Sequence, residues 1–260
     1  MQYALITGAS KGIGKDIAHI LAAKAYNLIL IARSQIELDA VKNDILKKYH
    51  VDIYTLAIDL TTPQACDTIV SYIQSQNLGI NILVNNAGYG MWGYFNTLSI
   101  ENQLNMMVLN NQTLVALTYK MLPVLRAQPQ SYILNIASTA AYQAVPSMAV
   151  YSASKAFVVT FSRALSFEMQ KTKLSVTCVS PGATATNFTD RAGMQAMQAI
   201  ADKFNMPSEV VAHTAVKAMF SKKTEVVVGF VNQISAMATY ILPKKLIETM
   251  AAGIYLKKLS

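Results

Sequence analysis

Tyr3-Ala4-Leu5-Ile6-Thr7-Gly8-Ala9-Ser10-Lys11-Gly12-Ile13-Gly14 opens the chain and decides how the rest of it is read. Residues 3–6 are a short apolar run, the pattern of a strand buried on both faces. From Ile13 onward, Ile17, Ala18, Ile20 and Leu21 recur at helical spacing. The glycines therefore lie where a strand turns into a helix. Glycine at such a place lets the backbone turn tightly and approach a pyrophosphate closely. The helix N-terminus behind it offers unpaired N–H groups at the positive end of its dipole. The spacing is GlyXXXGlyXGly rather than GlyXGlyXXGly, so the strand before and the helix after are what give this loop its meaning.

The next apolar run, residues 28–32, reads as a second strand and is followed by Arg33 and Ser34. A dinucleotide site reads the adenosine ribose here, about 20 residues past the glycines, and an acid would bind the hydroxyls of NAD. This chain offers Arg33 instead. Its guanidinium is a permanently charged bidentate donor suited to a 2′-phosphate. Lys11 adds a second positive charge from the glycine loop. The pair favours NADP(H) over NAD(H); the competing reading is two solvated surface cations.

Farther along, Tyr151 and Lys155 stand four residues apart in an apolar, helix-compatible run, which puts both on one helix face. An ammonium beside a phenol favours the phenolate, so this spacing predicts a Tyr pKa below its ordinary value of about 10. Such a Tyr can pass protons to and from an alcohol or carbonyl oxygen. Ser138 follows a predicted strand, residues 132–137, and its hydroxyl can bond the same oxygen. TyrXXXLys alone is common in helices; its place in this chain gives it weight.

Taken together, these residues resemble the classical short-chain dehydrogenase/reductase family, in its NADP(H)-preferring branch. Residues 7–14 resemble the family's ThrGlyXXXGlyXGly cofactor motif. Asp59-Leu60 resembles the pair that contacts the adenine. Asn85-Asn86-Ala87-Gly88 resembles the element after the fourth strand. Asn110, in LeuAsnAsn on an expected long helix, matches the active-site Asn, with Asn111 adjacent as the one-residue alternative. Ser138, Tyr151 and Lys155 complete the tetrad, and Pro181-Gly182 with Thr184 and Thr186 resembles the segment that wraps the nicotinamide. The resemblance covers roughly residues 1–190. It implies a Rossmann-type, doubly wound parallel sheet of seven strands with helices on both faces. It implies cofactor contacts at Gly8, Ser10, Lys11, Gly12, Ile13, Gly14, Arg33, Ser34, Asp59, Leu60, Asn86, Ala87, Gly88, Tyr151, Lys155, Pro181, Gly182, Thr184 and Thr186. It implies that Tyr151 exchanges the proton, Ser138 holds the substrate oxygen, Lys155 binds the nicotinamide ribose, and Asn110 positions a relay water. A homodimer or homotetramer is the family's usual state.

The bulk numbers agree with one α/β domain over residues 1–260. Candidate strands are 3–6, 28–32, 53–58, 81–84, 132–137, 174–179 and 225–230, with amphipathic helices between them. Cys66 and Cys178 are far apart, which argues against a disulfide framework, and the three histidines lack ligand spacing, so no metal site is expected. The first strand starts at once, so no signal peptide is expected, and a reducing cytoplasm is the expected home. Net charge is +8. The cations form no long block, so a solvated basic surface ranks first, steering of an anionic cofactor second, and nucleic acid a distant third.

Residues 187–206 carry Phe188, Met194, Met197, Ile200, Phe204 and Met206. They read as a lid over an apolar pocket, or as plain helix packing. Aromatics of residues 89–95, with Trp92, and Tyr142, Val145 and Met148 are candidate walls. Pro207-Ser208-Glu209 starts a helix with Ser208 as candidate N-cap. The extension 231–260 has three open readings: packing on the fold as part of the pocket, a subunit interface, or a membrane surface contact through Lys257 and Lys258. Mean hydropathy is +0.30; peripheral membrane contact ranks behind the other two. The leading function is NADP(H)-dependent reduction of an apolar carbonyl compound or the reverse. The alternatives are a cofactor-binding regulatory or scaffold protein, and a membrane-associated lipid reductase.

Overall fold

The computed structural model describes residues 2–185, 192 and 205–256. Strands and helices alternate from the start: β1 (Tyr3–Thr7), α1 (Gly12–Ala22), β2 (Asn27–Ala32), α2 (Gln35–Leu46), β3 (Ile53–Ala57), α3 (Ala65–Ser75) and β4 (Ile80–Asn85). Then α4 (Ile100–Met107) runs through a π-helical turn (Val108–Thr113) into α5 (Leu114–Arg126). Next come β5 (Ser131–Ile136), a 3₁₀ turn (Thr139–Tyr142), α6 (Ala149–Met169) and β6 (Leu174–Ser180). The remainder is β7 (Thr184–Ala185), β8 (Met206–Pro207), α7 (Ser208–Phe220), β9 (Glu225–Val227), α8 (Phe230–Ile241) and α9 (Lys244–Tyr255).

Seven strands form one sheet in the order β3-β2-β1-β4-β5-β6-β9. All six pairings are parallel, with Leu5 opposite Ile29 on one side and Leu83 on the other. The strands are apolar on both faces because both faces are covered. Ala4, Ile6, Leu28, Leu30, Val84 and Leu134 point into a core with α1, α2 and α7. Tyr3, Leu5, Ile29, Ile31, Leu83 and Ile133 alternate with them into a second core with α3 and α5. Burying each such Leu or Ile fully contributes roughly 1.5–3 kcal/mol. Strand order reverses between β1 and β4, and crevices outside the carboxyl ends of strands at such a switch point bind ligands.

Three local expectations need correcting. The last strand ends at Val227, not at residue 230, because Gly229 takes φ +92° and Phe230 already starts α8. Ser208 does not cap α7; Pro207 holds the cap position, and the Ser208 hydroxyl donates to Asp16 Oδ2 on α1 at 2.5 Å. The segment around Asn110 is not a regular helix but the π-helical turn. The short pair β7–β8, Thr184 opposite Met206 and Ala185 opposite Pro207, was not foreseen. Most of the expected lid, and Thr186, Lys257 and Lys258, lie outside the described residues.

Candidate active site

A cleft of about 1220 Å³ runs along the carboxyl ends of the central strands. This exceeds the roughly 300–1,000 Å³ of an ordinary small-molecule pocket. Of the residues expected to contact a cofactor, those from Gly8 to Thr184 all line it except Gly14. Gly14 instead closes the turn. A Cβ there would stand 2.3 Å from Gly8 O and 2.4 Å from Asn86 Nδ2. Gly8 and Gly12 take φ of +65° and +52°, conformations that side chains disfavour.

The glycine turn is held from behind by Thr7, the first residue of the motif. Its buried hydroxyl donates to Val84 O at 3.1 Å and accepts from Asn86 N at 3.0 Å and Ala87 N at 3.1 Å. The Asn86 amide donates to Thr7 O and Gly8 O, both at 3.0 Å. Asn86 thus shapes the loop as well as lining the cleft. The first turn of α1 has neither an acidic residue nor a side-chain cap. Gly12 and Ile13 of this turn line the cleft, and the unpaired N–H groups of a helix N-terminus there fit a pyrophosphate.

At the adenosine end stand Arg33, Ser34, Ile58, Asp59 and Leu60. Asp59 Oδ1 accepts from Thr61 N at 2.9 Å and Thr61 Oγ1 at 2.7 Å, fixing the turn after β3. Lys11 is engaged: its Nζ is 2.6 Å from Glu37 Oε1. Glu37, which also lines the cleft, was missed because in sequence it is one acid among several on a helix.

At the other end, Ser138 leaves β5 with extended backbone and caps the 3₁₀ turn, its Oγ accepting from Ala140 N at 3.2 Å. That turn is tethered by Tyr142, whose hydroxyl donates to Glu225 Oε1 at 2.7 Å and lies 3.0 Å from Ser180 Oγ. Beneath it, Asn85 Nδ2 donates to Asn135 Oδ1 at 2.8 Å and Asn135 Nδ2 to Ser162 Oγ at 2.8 Å, tying β4 and β5 to α6. Tyr151 and Lys155 share the inward face of α6, both buried. Lys155 Nζ donates to Ile136 O at 3.0 Å and stands 6.0 Å from the Tyr151 ring centroid.

The expected drop in the Tyr151 pKa is not what the protein groups produce. Burial pushes it up to about 12, partly offset by a hydrogen bond with Ser138 and reinforced by the neighbouring Tyr255. Burial also pushes Lys155 down to about 8, so the cation that was to lower Tyr151 is itself held in an unfavourable place.

Asn110 does not line the cleft but stands directly behind it. Its Nδ2 donates to Tyr89 O at 3.0 Å and Ser154 Oγ at 3.1 Å, and its Oδ1 accepts from Tyr89 N at 3.1 Å. A Cβ on Gly88 would lie 2.9 Å from Asn110 Oδ1 and 3.4 Å from Lys155 Nζ, so the glycine admits both. Asn111 points elsewhere, donating to Ser154 O at 2.8 Å.

Tyr142, Val145 and Met148 line the cleft as expected, and so does Tyr89. Trp92 does not; it is buried in a cluster with Met106, Met148 and Tyr151. Tyr94 and Phe95 are exposed and lie outside the cleft. The extension supplies walls that no motif signalled: Asn232, Ser235, Ala236 and Thr239 from α8, and Ile254 and Tyr255 from α9. Asn232 packs so close to Gly182 that a Cβ there would lie 2.4 Å from its Nδ2. No described helix is long and apolar enough to cross a membrane, and no metal-ligating cluster occurs among the described residues.

A model of the short chain dehydrogenase family matches residues 2–197. Among curated relatives, very-long-chain 3-oxoacyl-CoA reductase of Bos taurus is 34% identical over 191 residues, which is 72% of this chain and 61% of the relative. The chain thus spans about three fifths of that relative's length. Among solved structures, a short-chain dehydrogenase from Sphingobium yanoikuyae in complex with NADPH superposes with TM-score 0.82 at 27% identity, covering 93% of this chain and 94% of the other. A short chain dehydrogenase/reductase from Burkholderia phymatum in complex with NAD gives 0.84 at 19% identity, covering 96% and 95%, which speaks to the fold alone.

Proposed function

The chain belongs to the short chain dehydrogenase family, and from that premise we propose that it is an NADP(H)-using oxidoreductase that interconverts a carbonyl and an alcohol. The observation that carries this reading is one continuous cleft with Ser138, Tyr151 and Lys155 at one end and the uncapped α1 N-terminus beside Arg33 at the other. A bound nicotinamide would supply or accept the hydride. The chain's own residues do the rest. Gly12 and Ile13 hold the pyrophosphate, and Arg33 meets the adenosine ribose or its phosphate. Ser138 and Tyr151 bond the substrate oxygen from one side. Tyr151, whose pKa burial raises to about 12, is protonated at neutral pH and so holds the proton that carbonyl reduction consumes. Lys155 is a buried cation close enough to steady the phenolate that proton transfer leaves behind. Asn110 is a positioning residue that fixes Tyr89 and Gly88 against Lys155.

Very-long-chain 3-oxoacyl-CoA reductases are relatives of this chain, so a 3-oxoacyl thioester is the first substrate class to try. The apolar walls at Val145, Met148 and Ile254 suit such a chain. We also place the protein in a reducing compartment, the cytoplasm, where its two buried free thiols stay reduced. A homo-oligomer is supported by Tyr119, Phe157 and Phe167, exposed on α5 and α6.

The test is loss of reduced-nicotinamide absorbance with NADPH and NADH against 3-oxoacyl thioesters, ketones, aldehydes and quinones. Turnover is expected with at least one class. Tyr151→Phe is expected to cut kcat at least about a hundredfold while leaving cofactor affinity within a few-fold. A Tyr151→Phe protein with ordinary rates would overturn the mechanism.

A further inference from the structure

Glu37 is a feature of the cleft that opposes the reading of its adenosine end. It sits in the first turn of α2, where its backbone N–H donates to the capping Ser34 Oγ at 3.3 Å. Its carboxylate lies 2.6 Å from Lys11 Nζ. Ser10 hydrogen-bonds to it as well, and Arg33 is near enough to act on it. The Lys11 hydrogen bond, with smaller help from Ser10 and Arg33, holds this carboxyl below the usual range, so it is an anion at neutral pH. All these groups line the cleft. The two cations that the sequence offers to a 2′-phosphate therefore already share a resident anion.

A 2′-phosphate entering this end would meet Glu37 as a like charge and would have to take Lys11 from it. A 2′-hydroxyl would meet the same carboxylate as an acceptor, the role an acid plays in NAD sites. We propose that Glu37 sets cofactor choice in this chain: it weakens binding of the 2′-phosphorylated dinucleotide, supports the unphosphorylated one, and so gives the protein use of both. This rests on the dinucleotide reading above and refines it.

Lys11 and Glu37 are both substantially exposed, with side-chain accessibilities of 53% and 37%. A solvated pair of this kind adds little to fold stability, so it can be removed without unfolding the protein. The experiment is direct titration of NADPH and NADH, followed by fluorescence of the reduced nicotinamide, on the full chain and on Glu37→Gln, Glu37→Arg and Arg33→Ala. Adenosine 2′,5′-bisphosphate and 5′-AMP serve as probes without a nicotinamide. Glu37→Gln is expected to raise the NADPH-over-NADH affinity ratio about tenfold, the effect of removing one repulsive charge contact. Glu37→Arg should raise it further, and the bisphosphate should follow NADPH. Ratios within about twofold of the parent in both Glu37 variants would overturn the proposal. So would weaker NADPH binding in Glu37→Gln, because Glu37 would then be holding Lys11 in place for the phosphate. Arg33→Ala separates the two levels of the argument. If it weakens NADPH while the Glu37 variants change nothing, only this inference falls. If neither dinucleotide nor either probe binds any of the proteins, the dinucleotide reading falls with it.

Discussion

At the residue scale, the site depends on a few side chains that touch no substrate. Thr7 is the clearest. One buried hydroxyl satisfies Val84 O, Asn86 N and Ala87 N, and so joins the turn after β1 to the turn after β4. Valine has the same shape and no hydrogen-bonding atom. Thr7→Val would strand two backbone N–H groups and one carbonyl, at about 1–3 kcal/mol for each donor left unpaired. Partial solvent access to Asn86 and Ala87 puts the expected total near 2 kcal/mol. For a chain of this length that lowers Tm by roughly 4–8 °C. Thr7→Ser keeps the hydroxyl and should restore most of the loss. Cofactor affinity should track the same series, because the displaced turn is the one that carries Gly8 and Ser10. Thermal melts of the three proteins with and without NADPH make the comparison; equal Tm values for Thr7→Val and the parent would show that the hydroxyl is not holding the turn.

At the scale of elements, the C-terminal helices α8 and α9 complete the cleft wall. One side of α8 faces the cleft through Asn232, Ser235, Ala236 and Thr239, while Phe230, Ile234, Met237 and Ile241 on the same helix are exposed. From α9, Tyr255 reaches back to pack against the cluster that holds Tyr151, Trp92 and Met148. Tyr255→Ala should therefore open the substrate end. The expected result is a KM about tenfold higher for small carbonyl substrates, with kcat within a few-fold, the pattern of lost binding surface rather than lost chemistry. Trp92 is the only tryptophan, so its emission should shift as the cluster loosens. An unchanged KM would remove Tyr255 from the substrate site. These helices also mark where sequence reading stops. The strands, the glycine turn and the order Ser138, Tyr151, Lys155 were legible because each is a local pattern with one structural meaning. Glu37 was not, because its importance comes from Lys11, 26 residues away in sequence and 2.6 Å away in space. Trp92 was misplaced for a similar reason: an aromatic after a strand can face the cleft or the core behind it, and only packing decides. The inner face of α8 has no motif at all; its small polar residues mean something only when set against Gly182.

At the scale of the whole molecule, a functional site this deeply buried leaves a mark on stability. Lys155 is 6% exposed, and burial brings its pKa from 10.5 to about 8. Since one pKa unit corresponds to about 1.4 kcal/mol, keeping this lysine protonated at pH 7 costs the fold on the order of 3 kcal/mol. The sign follows from proton counting. Between pH 8 and 10.5 the unfolded chain holds this proton more tightly than the native one, so stability rises with pH over that interval. Tyr3 and Tyr151 act in the opposite direction. Burial raises both from 10 to about 12, so the native state keeps their protons longer, and stability falls as pH climbs from 10 to 12. Burial also raises Cys178 from 9.0 to about 12 and raises Cys66, so the native state keeps these protons longer and from about pH 9 their loss offsets the Lys155 gain. The effects together predict a maximum near pH 9, above the neutral range where most proteins are most stable. Lys155→Met should remove the rising limb by taking the buried charge away. It leaves Ile136 O without its donor, which costs about 1 kcal/mol, so a net gain of one to two kcal/mol at pH 7 is expected alongside complete loss of turnover. Denaturant unfolding of both proteins from pH 7 to 11 measures this directly. A parent curve that is flat between pH 8 and 9, or a Lys155→Met protein less stable than the parent at pH 7, would mean that the site accommodates its cation without strain. The opposite result would show that the position of Lys155 beside Tyr151 is maintained against the stability of the fold.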